Sequence, residues 1–163
     1  YNPFAQYGEE KLVADCVEAT VSGFIVVDLS GPEMDRFAAT CAAKDLAFIP
    51  LVAPTSTEKR LSEVAKLASG YVYCVSVTGI TGARDELPAD LGDFTSRVKK
   101  YFGDTPLAIG FGLNTRAHVR DVFKFGDGAV MGSIIIKVIT EAGPDIDDQC
   151  KALTAFIKKV TTD

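Results

Sequence analysis

One pattern constrains this chain above all others. Short, nearly continuous apolar runs alternate with longer amphipathic segments. Five runs read as buried strands: residues 23–29 (GFIVVDL), 46–52 (LAFIPLV), 71–76 (YVYCVS), 106–110 (PLAIG) and 128–131 (GAVM). They lack the polar alternation of a half-exposed strand, which fits parallel strands covered on both faces. Their starts lie 23, 25, 35 and 22 residues apart, close to one βα unit each. The long third interval is taken up by a Gly-rich loop.

Helical segments fill the gaps. Leu12, Val13, Cys16 and Val17 share one face before the first run. Ser30-Gly-Pro-Glu33 reads as an N-cap, an early proline and a capping-box glutamate, opening a helix with Met34, Phe37, Ala38 and Cys41 inward. Thr55-Ser-Thr-Glu58 offers the same box before Leu61, Val64, Ala65 and Ala68. Leu91, Phe94, Val98 and Tyr101 form a fourth face. Asn114-Thr115 caps a fifth helix with Val119, Val122 and Phe123. Pro144 and Asp145 open a last one over residues 146–160, whose stripe is Ile146, Cys150, Leu153, Ile157 and Val160.

Repeated βα units imply right-handed crossovers and a parallel sheet. Two closures satisfy that: an open doubly wound sheet, or an arc of a (β/α)8 barrel. The 163 residues are too few for a whole barrel, which needs roughly 250. The arc is favoured if strands are missing at the N-terminus, and Tyr1-Asn2-Pro3 reads as the end of a truncated strand. A first residue other than Met suggests a fragment or a processed piece. No linker or low-complexity stretch divides the chain, so residues 1–163 read as one partial domain.

Composition excludes several functions. The net charge of −5 argues against a nucleic-acid surface or a polybasic membrane patch. No apolar run approaches the ~18 residues of a membrane span. Four scattered cysteines and one histidine offer no structural zinc spacing. The expectation is buried, reduced cysteines in a cytoplasmic protein.

Ligands of both candidate architectures bind at the C-terminal ends of the strands, and three glycine clusters fall there. Residues 77–83 (VTGITGA) read as a substrate loop with an anion-binding edge or as an ordinary surface loop. Residues 110–115 (GFGLNT) place Gly112 where an oxygen can approach the backbone and Phe111 where it can wall a pocket. Gly132-Ser133, at a helix start, offers amides, a hydroxyl and a favourable dipole for an anion. The last two clusters follow consecutive strands, as barrel phosphate sites do. Walker and dinucleotide fingerprints are both absent.

Acid/base candidates are sparse. Asp28 ends the first full run, where it could face a ligand or hydrogen-bond a neighbouring loop, and the structural role is favoured. His118 reads as solvated on its helix, and Asp85 and Glu86 as a solvated patch. No Ser/His/Asp or Cys/His set is visible.

Several segments together resemble the tryptophan synthase α subunit family: Tyr1-Asn-Pro3, GFIVVDL at 23–29, FIPLVAPTS at 48–56, LASGYVYCVSVTGITGARDELP at 67–88, IGFGLNT at 109–115 and MGSIIIKVI at 131–139. The resemblance covers essentially the whole chain. It is similar to fungal forms that carry α and β activities on one polypeptide. It implies a TIM barrel that splits indole-3-glycerol phosphate, by a retro-aldol reaction, into indole and glyceraldehyde 3-phosphate in tryptophan biosynthesis. By motif position, the phosphate would rest on Gly82, Gly112, Gly132 and Ser133. The indole would lie near Tyr1, Leu51, Tyr73 and Phe111. Thr81 would orient a catalytic carboxylate. No cofactor is implied for this domain; pyridoxal phosphate belongs to the β subunit or β domain, its implied partner.

The resemblance also implies a shortfall. The family uses a glutamate and an aspartate on its second strand and the loop after it, upstream of the Tyr-Asn-Pro segment. The chain would then hold units four to eight, about 90 residues short of the ~250-residue norm, with no catalytic acid or base of its own. Two alternatives stand beside this: a non-catalytic phosphate-binding or docking module, and another phosphate-handling barrel isomerase. A lone arc would carry open sheet edges and is expected to be marginal, unless a companion chain completes it.

Overall fold

A computed structural model describes residues 1–75, 87–110 and 112–162. Its elements, in order, are α1 (Asn2–Tyr7), α2 (Glu9–Glu18), β1 (Gly23–Ile25), α3 (Gly31–Ala42), β2 (Ala47–Ile49), β3 (Leu51–Val52), α4 (Glu58–Ala65), β4 (Val72–Val75), α5 (Leu91–Phe102), β5 (Leu107–Gly110), α6 (Arg116–Val122), β6 (Gly128–Val130), α7 (Ser133–Glu141) and α8 (Ile146–Thr161). The βα alternation read from the apolar runs is therefore present. Two compact units divide the chain. The first comprises Tyr1–Val52, Ser56–Tyr73 and Val98–Pro106, and the second Ala53–Thr55, Cys74–Arg97 and Leu107–Asp163.

In the first unit β1 and β2 pair in parallel, Gly23 opposite Ala47, Phe24 opposite Phe48 and Ile25 opposite Ile49. Phe37 of α3, with no exposed surface, is the centre of the aromatic core. Its ring meets Phe24 edge-on at 5.3 Å and Phe48 at 6.4 Å, and stacks with Phe4 at 6.3 Å. Edge-to-face and offset geometries suit the aromatic quadrupole.

The second apolar run does not stay one strand. It breaks at Pro50 into β2 and β3, because proline has no N–H for the ladder. The Pro50 carbonyl still accepts the Tyr73 N–H at 2.9 Å. The first run likewise leaves the ladder after Ile25, and Asp28 turns the chain at φ 63°, a conformation that Asp tolerates better than most residues.

In the second unit β5 and β6 pair in parallel, Ala108 opposite Gly128 and Gly110 opposite Val130. Asp127 locks the start of β5 twice. Its carboxylate accepts the Leu107 N–H at 2.9 Å, and its own N–H donates to the Leu107 carbonyl at 2.8 Å. Helix α8 packs on α6 and α7.

Helix starts follow cap chemistry unevenly. Asp145 Oδ1 accepts the N–H groups of Asp147 and Asp148 at 2.9 and 3.1 Å. Thr115 Oγ1 accepts the His118 N–H at 3.1 Å. Ser30 occupies the N-cap of α3 but makes no side-chain cap bond. The box expected at residues 55–58 is shifted. Thr57 is the cap and bonds the Arg60 N–H at 3.2 Å, so Glu58 is the first helical residue and cannot close a box. Tyr1-Asn2-Pro3 does not end a strand either: Tyr1 caps α1, with the proline in its first turn, where a missing N–H does no harm.

Two of the four cysteines are buried, Cys41 and Cys74; Cys16 is half-buried and Cys150 exposed. The stripe of α8 is likewise exposed at its start, with Ile146 71% open. Among the described residues no helix is long and apolar enough to cross a membrane.

Candidate functional site

The second unit brings together three of the residues expected to bind an anion. Parallel pairing puts Gly110 level with Val130, so the turns that follow β5 and β6 leave the sheet side by side at the same end. Gly112 lies two residues beyond the first strand, at φ 86°. That left-handed conformation strains any residue with a Cβ. Gly132 lies two residues beyond the second strand and is the N-cap of α7, with no side-chain cap bond. A Cβ added at Gly132 would meet no atom within 4 Å. Local packing therefore does not require glycine there, and the space in front of the helix is open.

The first amides of any helix lack intrahelical acceptors. In α7 these belong to Ser133 and Ile134, while Ile135 and Ile136 already bond the Gly132 carbonyl at 2.9 and 3.2 Å. The helix has nine residues, enough for its dipole to favour an anion at this end. Ser133 and Gly132 are both exposed. Ser133 is the first helical residue and not the cap, so its hydroxyl is not committed to the cap position. Of the four expected phosphate contacts, Gly112, Gly132 and Ser133 thus lie on adjacent strand ends. Gly82 lies outside the described residues, as do Thr81, Phe111, Asp85 and Glu86.

The first unit holds a small cleft at its own strand ends. It measures about 180 Å³ and is lined by Val26, Val27, Asp28, Leu29, Met34, Phe48, Pro50, Leu51 and Arg60. Its wall is mostly apolar, with one carboxylate and one guanidinium. Arg60 is held in place by a bond to the Leu29 carbonyl at 3.3 Å and lies 3.4 Å from Met34 Sδ. Leu51 therefore lines an apolar cleft. Tyr1 and Tyr73 are not on its wall. The Tyr1 hydroxyl donates to the Glu9 carboxylate, which Arg36 Nε and Nη2 also bond at 2.8 and 3.1 Å. The Tyr1 ring stands edge-on to Phe37 at 6.3 Å. Tyr73 is half-buried, and burial pushes its hydroxyl above the ordinary range.

Asp28, for which the sequence leaves a ligand-facing or a structural role, is exposed on the cleft rim. One feature escaped the sequence reading. His118, taken as solvated, is only 4% exposed. Its Nδ1 accepts the Asn114 N–H at 3.3 Å. Helical periodicity did not expose this, because His118 lies beside the apolar pair Val119 and Val122 and its partner is a backbone amide. Among the described residues no cluster of His, Cys, Asp or Glu could hold a metal ion.

Comparison with known proteins bears on the family and the fold. The profile of the family described as tryptophan synthase alpha chain matches residues 1–162. The chain is similar to the tryptophan synthase alpha chain of Roseiflexus sp. (strain RS-1), 44% identical over 88% of this chain and 55% of that one. It is also similar to the tryptophan synthase of Saccharomyces cerevisiae, 42% identical over 87% of this chain and 20% of that one. Among solved structures, a mutant tryptophan synthase alpha-subunit from Pyrococcus furiosus matches at TM-score 0.85 and 29% identity, covering 98% of this chain and 63% of that one. Tryptophan synthase from Mycobacterium tuberculosis matches at TM-score 0.85 and 31% identity, covering 98% of this chain and 58% of that one. The chain therefore spans little more than half the length of these alpha chains, and its fold is a partial (β/α)8 barrel of the TIM-barrel family. On these matches and on the paired glycine turns, this chain belongs to the tryptophan synthase alpha chain family.

Proposed function

We propose that this chain supplies the phosphate-binding part of an indole-3-glycerol phosphate lyase. The observation that carries the reading is the pair of turns after β5 and β6. Gly112 is left-handed, and the open N-terminus of α7 begins two residues past the neighbouring strand. Amides from both turns, with the Ser133 hydroxyl, would hold the phosphate of indole-3-glycerol phosphate. Gly82 would add a fourth contact. The indole ring would lie against Leu51, Tyr73, Tyr1 and Phe111.

In the retro-aldol reaction the bond between indole C3 and the glycerol carbon breaks. The hydroxyl on that carbon gives up its proton and becomes the aldehyde of glyceraldehyde 3-phosphate, and the ring carbon gains a proton. The family's glutamate and aspartate perform those transfers, and residues 1–163 hold no counterpart of either. Thr81 would position such a carboxylate without transferring a proton itself. The chain's own work is binding and orientation, which supplies much of the advantage of holding reacting groups in place. Partnership with a β subunit or β domain, where pyridoxal phosphate would act, belongs to the same reading, as does a cytoplasmic location.

Two measurements test it. The purified chain should form no indole from indole-3-glycerol phosphate; turnover would refute the absence of the catalytic pair. It should bind glycerol 3-phosphate, and Gly132→Asp should reduce that binding at least tenfold by placing a carboxylate at the anion site. The open space at Gly132 lets the variant fold, so unchanged binding would refute the phosphate placement.

A further inference from the structure

His118 is a buried polar side chain to which the lyase reading assigns no part. It is 4% exposed, and a buried imidazole needs hydrogen-bond partners. Its contacts run to the turn that carries Gly112. The Nδ1 atom accepts the Asn114 N–H at 3.3 Å, and the His118 N–H donates to Thr115 Oγ1 at 3.1 Å. Both residues that follow Leu113 are thus tied to one side chain or its amide. Leu113 is itself 4% exposed, an anchor in the core. The stretch from Gly112 to α6 is therefore gripped at three successive residues.

Of these two bonds, that of the imidazole is the one a plain hydrophobic helix residue could not supply. Because Nδ1 accepts, the ring carries its proton on Nε2 when neutral. Asn114 already has a buried Oδ1 without a partner. Removing the Nδ1 acceptor would leave the same residue with a second unsatisfied group, its N–H, unless the turn moved toward water. Such movement would be felt at Gly112, two residues away, whose φ of 86° aims its amide.

We propose that His118 is a positioning residue for the anion site: by holding the Asn114 amide, it fixes the turn that presents Gly112 to a phosphate. This rests on the phosphate reading of the paired turns. It adds a residue that lies on α6, outside the glycine motifs, and that does not touch the ligand.

The test is titration of the full 163-residue chain with glycerol 3-phosphate, alongside thermal unfolding. His118→Leu should weaken binding about five- to tenfold, the effect of about one lost hydrogen bond. His118→Asn puts an amide oxygen near the place of Nδ1 and should restore binding to within about threefold of wild type. His118→Gln puts its polar end near Nε2 and should not restore it. The Asn and Gln variants decide the matter even if the Leu variant fails to fold. Equal binding by the Asn and Gln variants, or wild-type binding by the Leu variant, would overturn the proposal while Gly132→Asp still impaired binding. No binding by the wild-type chain would overturn the phosphate reading and this proposal with it.

Discussion

Gly23 and Ala47 face each other across β1 and β2 with no room for a methyl group between them. A Cβ built on Gly23 would lie 2.6 Å from the Ala47 carbonyl oxygen and 2.7 Å from its Cβ. The obstacle is backbone as well as side chain, so it cannot rotate away. Gly23→Ala should destabilise the chain by about 1–3 kcal/mol through overpacking. Denaturant unfolding measures this, and an unchanged midpoint would contradict the close approach.

Phe37 meets the rings of Tyr1, Phe4, Phe24 and Phe48 and is fully buried. Phe37→Ala removes all four contacts and leaves a cavity. The expected loss is about 3–5 kcal/mol, a large share of what a domain of this size holds. Phe37→Leu should recover more than half of it.

The Ser, Thr and Asp caps separate into Thr57, Thr115 and Asp145, which bond, and Ser30, which does not. Thr115→Ala removes the oxygen that accepts the His118 N–H and should cost about 1 kcal/mol. Asp145→Ala removes two bonds at the start of α8 and should cost at least as much. Ser30 makes no side-chain cap bond, so Ser30→Ala should change stability by less than about 0.5 kcal/mol. An equal loss in all three would mean that residue type, and not the bond, sets the effect.

Burial pushes the thiol of Cys74 up to about 12 and that of Cys41 to about 11, from an ordinary 9.0. In the unfolded chain these groups lose their protons near the ordinary value. Between that value and the raised one, the unfolded state binds fewer protons. Stability held below pH 9 should therefore fall as pH rises toward 12. Denaturation midpoints at pH 8 and above 10 would show the decline, and Cys74→Ala should make it shallower. Thiol-directed reagents should reach exposed Cys150 first and leave Cys41 and Cys74 unmodified until the chain unfolds.

Each apolar run contains a strand because a run long enough to be covered on both faces has few other places to go. The strand lengths were harder to read. Residues 26–29 are as apolar as 23–25, but pairing stops at Ile25, since hydrophobicity does not say where a neighbour's ladder ends. Glycine positions were legible as turns after strands, and Gly112 and Gly132 do follow adjacent strands. The reason for glycine was not: φ demands it at 112, whereas local packing does not require it at 132. His118 was misread because a side-chain bond to a backbone amide leaves no trace in periodicity. Tyr1-Asn2-Pro3 was misread because proline suits the first turn of a helix as well as the end of a strand.

Pro50 has one further consequence. The β1–β2 ladder ends at Ile25 and Ile49, and the Pro50 carbonyl is turned to the other side, where it accepts the Tyr73 N–H at 2.9 Å. Residues 26–29, beyond the last rung, form one wall of the cleft, and Pro50 itself borders it. One residue thus joins the wall of the cleft to the backbone that anchors Tyr73.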